Sequence, residues 1–295
     1  MPRPGRIIDA HVHIFPPDVA TRRVAYHARD DWFAQLYADE KFVLASPDDL
    51  IASMDAAGIQ TSIACGFPWA DPGICREHTE WMAQARRDHP GRIEFLAIVP
   101  PHDRDAARDA ARAFELGALG IGELNADAQG FDLLRPACMS ELMALCHDVG
   151  KPVMLHTTEP IGHPYPGKGS ATPERVYEWL RAFPAQPVVL AHWGGGLPFY
   201  ELMPEVRAVT HFVSYDSAAT TYLYNSAVFP TVLSLVGPDR ILFASDYAIL
   251  RQDRLARRVG LLLNDRETLE RVFWRNTARV YGIHTSQSEE EAPTE

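Results

Sequence analysis

Ile7-Ile8-Asp9-Ala10-His11-Val12-His13, close to the N-terminus, reads as a short β-strand, apolar at first and then alternating. Side chains two apart on a strand share a face. His11 and His13 therefore project side by side, and Asp9 is expected one step deeper on that face. Two neutral imidazoles on one side of a strand make a ready pair of divalent-metal ligands, because each ring offers one nitrogen lone pair. Two histidines near a terminus also occur by chance, so the rest of the chain decides.

Working outward, short apolar runs recur at 61–67, 93–99, 119–123, 152–156, 187–192, 211–215 and 240–246. Helical patterns follow them. Ser46-Pro47-Asp48-Asp49 opens the first, with Ser as cap, Pro in the first turn and acids at the positive end of the dipole. Others are expected over 77–88, 103–116, 138–149, from Thr172-Pro173-Glu174 onward, and over 199–207, 225–236, 254–263 and 266–281. The connection 14–45 holds Trp32, Phe33, Tyr37 and Phe42 and is long, as functional loops are. Residues 162–169 are rich in Pro and Gly and read as a loop. Eight strands alternating with helices predict parallel βαβ units closed into a (β/α)8 TIM barrel. No composition shift marks a linker, so one domain is expected over residues 1–284, followed by a disordered acidic tail, 285–295.

Composition narrows the partners. The chain of 295 residues is 46% hydrophobic and carries a formal net charge of -11. That is an ordinary soluble globular composition, and the acidic balance opposes gripping phosphate backbones, so no nucleic acid is expected. No run of about 20 apolar residues could cross a bilayer, so no membrane role is expected. Cys65, Cys75, Cys138 and Cys146 form no C-x-x-C pair, and no signal peptide is evident; free thiols and a cytoplasmic location are expected. A homo-oligomer is left open.

In a (β/α)8 barrel the C-terminal strand ends meet at one mouth, which carries the active site. Those ends supply His11 and His13, Glu123, His156, His192 and Asp246. Crowding so many titratable groups together is costly unless a cation neutralises them.

Asp9-Ala10-His11-Val12-His13, with the single histidines 156 and 192 and with Asp246, resembles the amidohydrolase superfamily. Val189-Leu190-Ala191-His192-Trp193-Gly194-Gly195-Gly196, Ile241-Leu242-Phe243-Ala244-Ser245-Asp246-Tyr247 and Asn276-Thr277-Ala278-Arg279-Val280-Tyr281-Gly282 are similar to its amidohydrolase-related branch, which includes ACMSD-like decarboxylases. The resemblance implies a metallo-dependent hydrolase type of barrel. Many two-metal members carry a carboxylated lysine on the fourth strand; here Glu123 stands instead, similar to the TatD-like branch. The ligand set implied is His11, His13, Glu123, His156, His192 and Asp246, holding one or two divalent ions, zinc first and manganese as an alternative. Asp246 is implied as the proton carrier and His192 as a polarising catalytic group.

Trp69, Lys168, Trp193, Tyr215 and Arg251 follow strand ends or lie in the loops above them and are candidates to face a small-molecule substrate. Lys168 and Arg251 could meet a carboxylate. Hydrolysis of a small amide, ester, lactone or phosphoester is the first functional expectation. The alternatives are nonoxidative decarboxylation of a small aromatic carboxylate with one metal, and a non-catalytic metal-binding barrel. A TatD-like nuclease is disfavoured by the charge.

Overall fold

The computed structural model describes residues 5–284; the acidic segment 285–295 lies outside them. Eight strands run in chain order: β1 (Ile8–Val12), β2 (Thr61–Ala64), β3 (Ile93–Phe95), β4 (Ile121–Leu124), β5 (Val153–Leu155), β6 (Val188–Leu190), β7 (Val213–Asp216) and β8 (Ile241–Leu242). Neighbours pair in parallel as β1-β2-β3 and β4-β5-β6-β7-β8. Two parallel bridges, Ala97 with Ile121 and Val12 with Tyr247, join these sets at both seams. Backbone N–H groups of Ala97 and Gly122 donate to Gly120 and Ala97 at one seam, both at 2.9 Å. At the other, Ala10 and Asp246 donate to Phe243 and His11 at 2.9 and 3.0 Å. The result is the expected (β/α)8 barrel, its lumen filled by Ile63, Cys65, Leu96, Met154, Val189 and Leu242 among others.

Helix starts follow local chemistry. Ser46 and Asp49 form a reciprocal capping box on Pro47–Ala57. Helix Pro72–Asp88 begins before the expected 77, because the Asp71 side chain accepts from Gly73 and Ile74 with Pro72 in the first turn. The connection 14–45 is not a plain loop. It holds three short helices, Pro17–Thr21, Arg23–His27 and Asp31–Tyr37. All four cysteines are free, and no helix among the described residues is long and apolar enough to cross a membrane.

Two strands break register where chemistry-bearing side chains sit. Between Asp9 and Val12, β1 runs one residue longer than its partner β2, and between Ile121 and Leu124, β4 runs one longer than β5. A bulge of this kind re-aims the side chains beyond it. It corrects the expectation for Asp9, which does not share a face with His11. Asp9 turns outward from the lumen, accepting from Ser245 Oγ at 2.6 Å and Gln252 Nε2 at 2.8 Å. Burial raises its carboxyl to about 6. In β4 the extra residue falls at Gly122, whose φ is +134°; a Cβ there would lie 2.6 Å from the Met154 carbonyl oxygen. Only glycine fits that backbone approach.

Candidate metal centre

Six side chains from five strand ends meet at the mouth. His11 and His13 leave β1, Glu123 leaves β4, His156 follows β5, His192 follows β6 and Asp246 follows β8. Ligating atoms of His11, His13 and Asp246 all lie within 4.8 Å of one another, as do those of Glu123, His156 and His192. Within the first group the Nε2 atoms of His11 and His13 are 3.0 Å apart, with Asp246 Oδ1 3.5 Å from His13 Nε2. In the second, Glu123 Oε1 is 3.0 Å from His156 Nδ1 and 3.2 Å from His192 Nε2. Glu123 Oε2 turns to the first group, 3.4 Å from His11 Nε2.

The other ring nitrogens explain why these faces are bare. His11 Nδ1 donates to Asp216 Oδ2 at 2.9 Å, and His13 Nδ1 donates to the Cys65 carbonyl at 3.0 Å. His156 Nε2 donates to the Gly167 carbonyl at 3.0 Å, and His192 Nδ1 faces the Ala218 carbonyl at 3.5 Å. Each imidazole thus commits its proton outward, which fixes its tautomer and aims a lone pair inward. Lone pairs opposed at such distances repel unless a cation lies between them. Two nitrogens on one ion, with bonds of about 2.1 Å, sit roughly 3.0–3.4 Å apart, so the donor set fits a divalent ion.

The carboxylates draw positive charge into the cluster, held as protons on the rings where no ion offsets them. Burial lowers the His11 imidazole, but the Glu123 and Asp216 carboxylates outweigh it and hold the ring well above its ordinary range. Burial and the adjacent His11 push His13 down. Burial would lift Glu123, yet the His11 and His156 rings hold it well below the usual carboxylate range. His192 rises to about 9, burial being outweighed by Glu123.

Backbone shape delivers His192. After β6 the chain makes a left-handed turn through His192 and Trp193, with φ of +57° and +58°, and on through Gly194, Gly195 and Gly196. Non-glycine residues resist this conformation, and the run of glycines extends it. A Cβ on Gly195 would lie 2.3 Å from the Thr158 carbonyl oxygen. Asp246 itself has φ +62°, which Asp tolerates better than most residues.

A cleft opens above the cluster. Its floor includes His13, Glu123, His156, His192 and Asp246, and its walls include Trp32, Leu36, Tyr37, Phe42, Phe67 and Tyr222. Among the described residues no Lys or Arg lines it. Trp32, Leu36, Tyr37 and Phe42 come from the 14–45 connection. Its density of aromatic residues was the signal for them.

None of the five candidate substrate contacts lines this cleft, which corrects that expectation. Tyr215 has outward parity on β7 and donates to Glu201 Oε1 at 2.6 Å; Asp216, one residue on, takes the inward position. Trp193 is fully buried and donates to Thr220 Oγ1 at 2.8 Å. Lys168 lies over the Tyr165 ring, and Arg251 pairs with Asp253 at 3.0 Å on the surface. Trp69 is fully buried against Phe33 and Phe67 and donates from Nε1 to His78 Nδ1 at 2.8 Å.

The burial of His78 makes stability depend on acid. Burial lowers His78 to about 4, against about 6.5 in the unfolded chain. The unfolded state therefore binds the extra proton between these values, and stability falls as pH drops from about 6.5 to about 4. The full effect is about 3 kcal/mol. Asp9, raised to about 6, contributes with the opposite sign over much of this window, so the difference is read between proteins: urea midpoints in His78→Gln should lack about one proton's slope present in the wild type, and equal slopes would show that His78 is not the group concerned.

A family model described as amidohydrolase matches residues 8–283. Comparison with curated proteins finds no match. Among solved structures, the chain is similar to 5-carboxyvanillate decarboxylase from Sphingomonas paucimobilis, with TM-score 0.79, 16% identity and coverage of 95% of this chain and 99% of that one. It is also similar to 5-carboxyvanillate decarboxylase from Novosphingobium aromaticivorans, complexed with manganese and 4-hydroxy-3-methoxy-5-nitrobenzoic acid, with TM-score 0.76, 19% identity and coverage of 94% and 96%. For 2,6-dihydroxybenzoate decarboxylase from Rhizobium the figures are 0.74, 18%, 94% and 99%. At these identities the likeness is one of fold.

Proposed function

The chain belongs to the amidohydrolase family, and from that premise we propose that it is a divalent-metal-dependent carboxy-lyase acting on a small aromatic acid. The observation that carries this is the cleft: aromatic and aliphatic walls over a floor of imidazoles and carboxylates, with no Lys or Arg lining it among the described residues. A flat ring suits such walls. Its carboxylate finds no cationic side chain there and can be met only at the floor. The decarboxylases of similar fold, one complexed with manganese and a nitrobenzoic acid, support this alternative over the hydrolytic expectation.

His11, His13 and Asp246 would hold the ion, with His156, Glu123 and His192 beside it. When bound, the ion supplies the positive charge that anchors the substrate's oxygens and offsets the surrounding carboxylates. The apolar walls orient the ring and exclude water. His192, raised to about 9 with burial outweighed by Glu123, carries a second proton on Nε2 and donates it in a hydrogen bond to a substrate oxygen. The Asp246 carboxyl gives its proton to the ring carbon that bears the carboxylate. The bond from that carbon to the carboxylate then breaks, its electron pair returns to the ring, and carbon dioxide leaves. Asp246 regains a proton from water.

One observation favours a second reading. Glu123 presents one oxygen to each donor group, an arrangement two ions could share, as in hydrolysis of a small amide, ester or lactone. An assay of hydroxybenzoic acids for carbon dioxide and the decarboxylated ring, with manganese or zinc added, separates the two. The expected result is turnover of ring monoacids at about 1 s⁻¹ or faster. Ring diacids should react at least about 10-fold more slowly, because a second carboxylate would lie unpaired against apolar walls. Hydrolysis of lactones or amides without carbon dioxide from any ring acid would overturn the carboxy-lyase reading.

A further inference from the structure

Asp216 belongs to neither donor group, yet it touches both. It ends β7 fully buried. Its Oδ2 accepts the Nδ1 proton of His11 at 2.9 Å. Its Oδ1 accepts two backbone N–H groups, from His192 at 2.9 Å and from Ala218 at 3.0 Å. The His192 N–H is the entry to the left-handed turn that carries that ring. One carboxylate thus spans the lumen from β1 to the segment after β6.

We propose that Asp216 is the positioning residue of the metal centre: it sets the His11 tautomer, so that Nε2 carries a lone pair toward the ion, while its other oxygen anchors the His192 backbone. This rests on the metal reading of the site but not on which reaction follows.

The two oxygens do different work, and the isosteric amide separates them. In Asp216→Asn the two backbone donors still require an acceptor at the Oδ1 position, so the amide oxygen goes there. The amide NH2 is then left against His11 Nδ1. Two donors cannot share that contact, so the His11 proton moves to Nε2, the atom now 3.0 Å from His13 Nε2. The reverse orientation would set the NH2 against two buried N–H donors at once, a worse clash. The substitution therefore keeps the fold's shape while turning His11 from a ligand into a donor.

The test uses cobalt and manganese alone. Full-length wild type and Asp216→Asn are titrated with Co2+ and Mn2+ against a chromophoric chelator, and the cobalt d–d spectrum is recorded. Affinity is expected to fall by about 10–100-fold in the variant, with an altered cobalt spectrum and an unchanged circular dichroism spectrum. In a His11→Asn background the same Asp216→Asn change should cost less than about 2-fold, since the coupling between the two positions has already been removed. Unchanged affinity in Asp216→Asn overturns the proposal. So does an equal loss in both backgrounds, which would place the effect in the scaffold rather than on the ring. Should the variant fail to fold, the wild type decides. With zinc bound and histidine labelled with 15N, His11, assigned by its absence from His11→Asn, should carry its proton on Nδ1, and a proton on Nε2 overturns the proposal. A wild type that binds no divalent ion overturns this proposal and the metal reading together. A wild type that binds one but releases no carbon dioxide counts against the reaction only.

Discussion

Asp246→Asn is expected to fold, to keep its ion and to lose turnover by about 10²- to 10⁴-fold, the range that a positioned proton carrier contributes. Folding should survive for a backbone reason. Asp246 sits at φ +62°, and asparagine tolerates the left-handed region as well as aspartate does. Its backbone N–H, which donates to the His11 carbonyl at 3.0 Å across the seam of the barrel, is untouched. The amide fills the same volume but holds no proton that it can release. The loss should therefore fall on kcat, while KM for a ring acid, set by the apolar walls and the ion, moves less. Metal content is measured in the same samples, because Asp246 Oδ1 lies among the imidazole nitrogens and a weakened ligand would otherwise be mistaken for a lost acid. In heavy water the wild type should place deuterium on the ring carbon that lost its carboxylate. A variant with full ion occupancy and unreduced kcat would remove Asp246 from the proton step.

Much of this site is legible in the sequence because a (β/α)8 barrel turns a one-dimensional rule into a three-dimensional one. Titratable residues that end apolar strands converge whatever their separation along the chain, and the distances among His11, His13, Glu123, His156, His192 and Asp246 follow that rule. What the rule misses is parity. Period-2 reasoning assumes an unbroken strand, but the extra residue in β1 moves Asp9 to the outer face. An isolated glycine in an apolar run, such as Gly122, is a sign of this irregularity in β4; β1 offers no such sign. Asp216 was missed by one position, because the apolar pattern of the seventh strand ends at Tyr215 while the ladder continues to Asp216.

The cleft walls were harder to read for a different reason. Loops just beyond strand ends are where a barrel's substrate contacts are expected, and Trp69 and Trp193 lie there, but both rings turn back into the layer between strands and helices. The walls come instead from the 14–45 connection, whose helices of five to seven residues are too short for a 3.6-residue periodicity to accumulate. Lys168 and Arg251 stand out in the sequence because an anionic substrate needs a cation. With neither lining the cleft, the proposed carboxylate substrate would be met by the ion itself, which would tie its recognition to metal occupancy.

Removing the ion should therefore abolish turnover rather than reduce it, and should also destabilise the fold. Without the ion, the buried carboxylates of Glu123 and Asp246 lose the charge that offsets them, and only protons taken up between His11 and His13 at 3.0 Å and between His156 and His192 at 3.2 Å stand in for it. A ligand that binds only the folded chain stabilises it by about 4 kcal/mol at 1,000 times its Kd. The chelated protein should melt several degrees lower than the loaded one, and manganese or zinc added back should restore both melting temperature and activity. His11→Ala divides the effect: it should lose most of the metal-dependent rise in melting temperature, and when both proteins are metal-free it should still melt lower than the wild type, because the buried Asp216 oxygen loses its donor and a cavity replaces the ring. Full activity after exhaustive chelation, with an unchanged melting curve, would mean that the six groups satisfy one another through shared protons, and the cleft would then need another partner for a substrate carboxylate.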